Sequence, residues 1–162
     1  MLGRFVALAG PLALLAACSH SPEPGAGGPG GPMGPGGISS SRFGPGSQQD
    51  LASTAGDRVF FAYDQADISS EGQQTLQRQA QWLRRYPNVS VTIEGHCDER
   101  GTREYNLALG ERRAQAVKNV LVASGIPAAR ISTISYGKER PDIPHSDDQS
   151  YAQNRRGVTT IN

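Results

Sequence analysis

Between Pro22 and Gly46, 25 residues hold 10 glycines and 6 prolines. Glycine maximises the backbone entropy lost on ordering, proline removes a donor, and neither offers a large side chain to bury. No core can be assembled there, so whatever folds must lie on either side. The chain is accordingly read as a leader over residues 1–17, a tether over 18–56 and one folded domain over 57–162. That domain has 106 residues, long enough to bury a core without staples. As a Gly-rich coil, the 38 residues from Ser19 to Gly56 span about 34 Å root-mean-square.

The leader carries one charge, Arg4, then an apolar run from Phe5 to Leu15 interrupted only by Gly10 and Pro11, then small residues. This is the form of a secretory signal peptide. A spanning helix needs about 20 apolar residues, so the run is too short to be one. Leu15-Ala16-Ala17-Cys18 resembles the bacterial lipobox, which implies cleavage before Cys18 and lipidation of its thiol, palmitate being among the acyl chains. Three such chains exceed the single chain that anchors only marginally. Ser19 follows where an acidic residue resembles inner-membrane retention, so the outer membrane of a Gram-negative cell is the expected destination.

Residues 57–162 contain 14 Lys and Arg against 13 Asp and Glu. A near-neutral domain has no field to hold a nucleic-acid backbone, and nucleic acid is excluded as a partner. Cys18 and Cys97 lie on opposite sides of the Gly/Pro-rich stretch, so no disulfide framework organises the fold.

Within the domain, Arg58 to Tyr63 reads as a strand, rich in aromatic and β-branched residues. Ser70 and Gln73 form a capping box, after which Leu76, Ala80 and Leu83 recur at helical spacing until Pro87. Val89, Val91 and Ile93 alternate with polar residues in a second strand ending at Gly95. From about Glu104, Leu107, Gly110, Ala114, Val117 and Leu121 keep one helical face, and Gly125 stands where a left-handed terminator belongs. Ile131 to Tyr136 is a third strand and Gly157 to Ile161 a fourth. Between them Ser146 and Gln149 predict another capping box, with Arg155 and Arg156 at the far end of a short helix. The order gives an α+β domain of two layers, with helices on one face of a mixed four-stranded sheet.

The densest polar stretch is Gly95-His96-Cys97-Asp98-Glu99-Arg100-Gly101-Thr102, at a strand end leading into a helix, where folds place ligand sites. On that helix Asn106, Leu109 and Arg113 share a side. Asp98 and Arg113 can therefore face one cleft and hold a ligand bearing both an ammonium and a carboxylate. An internal Asp98 to Arg113 ion pair fits the spacing equally well. By strand alternation the Cys97 side chain is expected to point away from that of Asp98, as a small buried hydrophobe. A zinc site from His96, Cys97, Asp98 and His145 fails on spacing. Carboxylates beside Arg100 and Arg113 are held ionised, which suits binding and not the general-acid step of a hydrolase. No enzyme and no cofactor is expected.

The run from Gly95 to Ala114, with Ser135-Tyr136-Gly137-Lys138-Glu139-Arg140-Pro141 and Asn154-Arg155-Arg156, resembles the OmpA-like peptidoglycan-binding family across the whole folded domain. The resemblance implies a βαβαβ-type domain that captures meso-diaminopimelate of the peptidoglycan stem peptide without covalent chemistry. Matched onto this chain, the ligand contacts are Asp98 and Arg113, with Leu109 lining the site and Tyr63 and Asp64 at the end of the first strand. Asn106 is expected to orient the loop, and the Asn154-Arg155-Arg156 run to be structural. The resemblance also implies the Tol system of envelope constriction at division, with TolB and TolA as partners that meet the same surface. A protein-interaction module with little wall binding of its own is the competing class.

Overall fold

The computed structural model describes residues 44–162. The leader, Cys18 and the Gly/Pro-rich stretch up to Phe43 lie outside the described residues.

Four helices and four strands follow in the order α1 (Gln48–Thr54), β1 (Arg58–Phe60), α2 (Ser70–Arg85), β2 (Val91–His96), α3 (Arg103–Ala123), β3 (Ile131–Gly137), α4 (Asp148–Asn154) and β4 (Arg156–Ile161). The sheet order is β1-β4-β2-β3, with β2 and β3 parallel and the other pairs antiparallel. This is the mixed sheet expected. Val59, Val91, Ile93 and Ile131 meet Leu76, Leu83, Val117 and Leu121 in one core between the sheet and the helices α2 and α3. Strand alternation sends Phe60 and Ile134 to the other face, where they remain 42% and 38% exposed.

The folded domain begins earlier than residue 57. α1 lies inside the stretch read as tether: Leu51 is fully buried, the Trp82 indole donates to Asp50 Oδ2 at 3.1 Å, and the Gln48 amide bonds Thr159 O and Ile161 N of β4. A two-turn helix with one large apolar residue has no readable periodicity. Its signal was the cap: Ser47 Oγ accepts from Asp50 N at 3.3 Å while Asp50 Oδ2 accepts from Gly46 N at 2.9 Å.

Two helix starts shift by one residue from expectation. Ser69, not Ser70, caps α2 through Gly72 N. A Cβ on Gly72 would stand 2.8 Å from Val59 Cγ1, so this glycine must face β1, and the helix is phased to suit. Asp147, not Ser146, caps α4, its carboxylate accepting from Ser150 N at 2.8 Å. Arg155 is the C-cap of α4 and Arg156 already belongs to β4, so the pair does not form the helix's last turn. Gly125 terminates α3 with φ +90° as expected, Ile126 N bonding Leu121 O at 3.1 Å.

One close contact positions everything that follows. A Cβ on Gly95 would lie 1.9 Å from Gly110 O, so β2 and α3 touch backbone to backbone. That approach brings the first half of α3 under the end of β2, and with it Leu109 and Arg113.

Candidate functional site

Beyond Phe60 the first strand stops pairing with its neighbour as a ladder, short of the Tyr63 expected. The chain turns at Asp64, which has φ +56°. This turn, the loop after β2 and the start of α3 enclose a cavity of about 190 Å³. Tyr63, Asp64, Asp98, Leu109 and Arg113 all line it, so the fold brings together the five positions that the family resemblance matched to the site.

Arg113 is completely buried. Its Nε donates to Gln65 O at 2.8 Å, one terminal nitrogen to His96 O at 2.9 Å and the other to Ala62 O at 3.0 Å. It thus stitches the turn after β1 to the end of β2. Its guanidinium also lies 5.2 Å from the centre of the Phe61 ring. Among the described residues no carboxylate forms an ion pair with it. Burial pushes its pKa down, yet a guanidinium stays charged, so the cavity wall carries a cation held by carbonyl dipoles and the Phe61 ring, with no ion-pair partner among the described residues.

Asp98 is 4% exposed. Its Oδ1 accepts from Arg100 N and Nε at 3.1 and 3.2 Å, and its Oδ2 from an Arg100 terminal nitrogen at 2.6 Å and from Arg155 at 3.3 Å. Burial raises its pKa, but the hydrogen bonds from Arg100 and then Arg155 outweigh it and hold the carboxyl below its ordinary value. Asp98 and Arg113 do not pair with each other, and the internal ion pair that fitted the spacing is absent.

The loop between them is braced from three sides. The Asn106 amide, 2% exposed, donates to Arg100 O and Thr102 O at 2.8 and 3.1 Å, the orienting role expected of it. Thr102 caps α3 by accepting from Tyr105 N, and the Lys138 ammonium bonds Glu99 O and Gly101 O. The Tyr105 hydroxyl donates to the Asp64 carboxylate and fixes the opposite rim.

Cys97 corrects an expectation. It lines the same cavity as Asp98 instead of pointing away from it. β2 ends at His96 with a break in register between Gly95 and His96, so alternation does not reach Cys97. Its Sγ donates to Asn106 O at 3.3 Å, and burial raises the thiol's pKa. It is a small buried side chain, as expected, and not a thiolate.

Sequence reasoning missed Arg100, Tyr105 and Arg155 as wall residues. Arg155 had been read as purely structural. It does tie α4 to the sheet by donating Nε to Phe61 O at 3.0 Å, and it also reaches Asp98, 57 positions away. No local pattern carries a pairing of that separation. Three cations, Arg100, Arg113 and Arg155, and two carboxylates, Asp64 and Asp98, now face one small space.

The sequence profile of the OmpA family matches residues 60–155. Over 117 residues the chain is 59% identical to the peptidoglycan-associated lipoprotein of Agrobacterium fabrum, covering 72% of this chain and 66% of that one. It is 40% identical over 157 residues to the peptidoglycan-associated lipoprotein of Pasteurella multocida, covering 97% and 96%. The crystal structure of the peptidoglycan-associated lipoprotein from Burkholderia pseudomallei superposes with a TM-score of 0.66 at 37% identity, over 75% of this chain and 98% of that one.

Proposed function

The chain belongs to the OmpA family, and from that premise we propose that it is an outer-membrane lipoprotein, anchored through Cys18, that grips peptidoglycan through the meso-diaminopimelate of the stem peptide. The observation that supports this most is the pairing of two buried opposite charges on one cavity wall. Asp98 offers a carboxylate for the ligand's ammonium, and Arg113 offers a cation with no ion-pair partner among the described residues. A charge-assisted contact at each end reads both the sign and the spacing of a zwitterionic end group. Leu109, 5% exposed, supplies an apolar floor for the methylenes between them. No bond is made or broken. The work is mechanical, holding the outer membrane to the wall during Tol–Pal constriction at division.

TolB and TolA are proposed to meet the same rim. Tyr63 and Tyr105, at 60% and 45% exposure, present aromatic surface there of the kind that dominates protein interfaces. Wall and protein partners would then compete.

The test is co-sedimentation of the full chain with purified sacculi, using free meso-diaminopimelate as competitor. Binding that is competed away and lost in Asp98→Asn is the expected result. A folded parent that stays in the supernatant overturns wall binding and leaves TolB capture as the domain's own activity.

A further inference from the structure

Asp98 has no vacant acceptor position. A carboxylate presents about four lone-pair directions, and four donors fill them: Arg100 N and Nε on Oδ1, and one terminal nitrogen each of Arg100 and Arg155 on Oδ2. An arriving ammonium has to displace one. Arg155 is held elsewhere as well, through Nε to Phe61 O at 3.0 Å, and its side chain is only 15% exposed. The Arg100 side chain is 36% exposed, and among the described residues its guanidinium hydrogen-bonds to nothing but Asp98. It rests between two rings, 4.1 Å from the centre of Tyr63 and 4.6 Å from that of Tyr151.

We propose that Arg100 is a tethered stand-in for the ligand's ammonium, a specificity-determining side chain that occupies Asp98 until a ligand able to reach Arg113 at the same time displaces it. The proposal rests on the reading of this cavity as the site for a diaminopimelate end group. It follows from the different anchoring of the two guanidinia. Swinging Arg100 out breaks two side-chain bonds while its backbone N–H stays on Oδ1, so the loop braced by Asn106 and Lys138 keeps its shape. A ligand with an ammonium alone bears the cost of displacement without gaining Arg113. One with a carboxylate alone gains Arg113 and leaves Arg100 seated. Discrimination therefore falls on free diaminopimelate against lysine with both α-groups blocked, as in Nα-acetyl-lysine amide, whose side chain ends in an ammonium with no carboxylate beside it, and against end groups whose ammonium has been acylated by cross-linking. This is selection by a built-in competitor.

The experiment is calorimetric titration of the full chain with free meso-diaminopimelate and with Nα-acetyl-lysine amide, comparing the parent with Arg100→Ala, Arg100→Lys and Asp98→Asn, each confirmed by its melting transition to be folded at the titration temperature. Both Arg100 variants are expected to bind diaminopimelate about tenfold tighter, a gain of about 1.4 kcal/mol. They should bind Nα-acetyl-lysine amide measurably better too, narrowing the ratio between the two ligands. Lysine at position 100 keeps the charge but loses the two-point fork. Tightening by Ala without tightening by Lys would thus assign the effect to net charge and overturn the proposal. Binding that is lost in Asp98→Asn but unchanged or weaker in both Arg100 variants overturns the role of Arg100 and leaves the site standing. No titratable binding by the parent or by either Arg100 variant overturns the site itself.

Discussion

Two buried regions of this domain adjoin along α3, where buried Arg113 is followed by Ala114 and Val117 of the core, and they are held by opposite means. Around Leu76, Leu83, Ile93, Val117 and Leu121 the packing is almost wholly apolar, the buried Gln79 being satisfied by Thr159 and the Gly56 carbonyl, and burial itself supplies the free energy. Around Arg113, Asp98 and Asn106 burial costs free energy. That end persists because each polar group finds a partner, many of them backbone carbonyls. The first region tolerates only what fits its volume. The second is pre-organised around charges, with Arg113 buried and in no ion pair among the described residues, and in the proposed function this is the relation of a site to its scaffold.

The sharpest separation of the two comes from truncating the apolar region. Leu83 is completely buried among core side chains. Leu83→Ala should lower stability by about 3 kcal/mol, with the transfer and cavity contributions combined. Under conditions where the variant remains folded, its affinity for meso-diaminopimelate should equal that of the parent. Urea unfolding and titration of one sample measure both. A loss of affinity in the folded variant would break the comparison, because it would make the core part of the site.

At the other end a single substitution should move both quantities. Arg113→Lys keeps the charge but cannot reach three carbonyls in three directions. Losing two of these bonds costs about 2 kcal/mol of stability, while diaminopimelate binding falls by more than about tenfold for want of the planar fork. Full truncation of Arg113 is expected to disturb the fold further, since it orphans the carbonyls of Ala62, Gln65 and His96 at once. Unaltered unfolding of the lysine variant would show that these bonds contribute nothing net.

This difference also explains what was legible in the sequence. Leu76, Ala80 and Leu83, and the alternation of Val91 and Ile93, announced a two-layer domain because apolar burial repeats with the period of the backbone. α1 escaped, since its single Leu51 carries no period. At the site, Asp98 and Arg113 were found by residue type and helix face together with family resemblance. Arg155 and Arg100 were not, because hydrogen-bond satisfaction follows three-dimensional proximity and leaves no period. Cys97 was misplaced for a related reason: the rule of alternation was carried one residue beyond the end of its strand.

His96 lies at the junction of the regions and gives a smaller, pH-dependent test. Burial, with the neighbouring Arg156 charge, pushes its pKa down from 6.5 to about 4. Its Nδ1 has no hydrogen-bond partner among the described residues, while Nε2 lies 3.4 Å from Glu94 Oε2. The unfolded chain takes up a proton below about pH 6.5 that the folded protein refuses until about pH 4, so stability declines as pH falls through that window. Asp98 behaves oppositely in origin. Its depressed pKa contributes stability that is lost chiefly as pH falls below its ordinary value of 3.8. Urea midpoints from about pH 7 to pH 4.5 should therefore decline in the parent and flatten in His96→Gln. Equal slopes in the two would remove His96 from the account.

The smallest effect is expected at the rim. Tyr63 is 60% exposed, and its ring stacks on the Arg100 guanidinium at 4.1 Å with no hydrogen bond from its hydroxyl to another described residue. Tyr63→Phe keeps the ring face and removes only that hydroxyl, so both stability and affinity should stay within about 0.5 kcal/mol of the parent. Tyr63→Ala removes the ring, and a cation–π contact at such exposure is worth about 0.5–1 kcal/mol. Its loss loosens Arg100 on Asp98 and should tighten diaminopimelate binding slightly without changing the urea midpoint. Weaker binding by the alanine variant would mean that the ring touches the ligand directly, moving Tyr63 from supporting Arg100 to contacting the ligand.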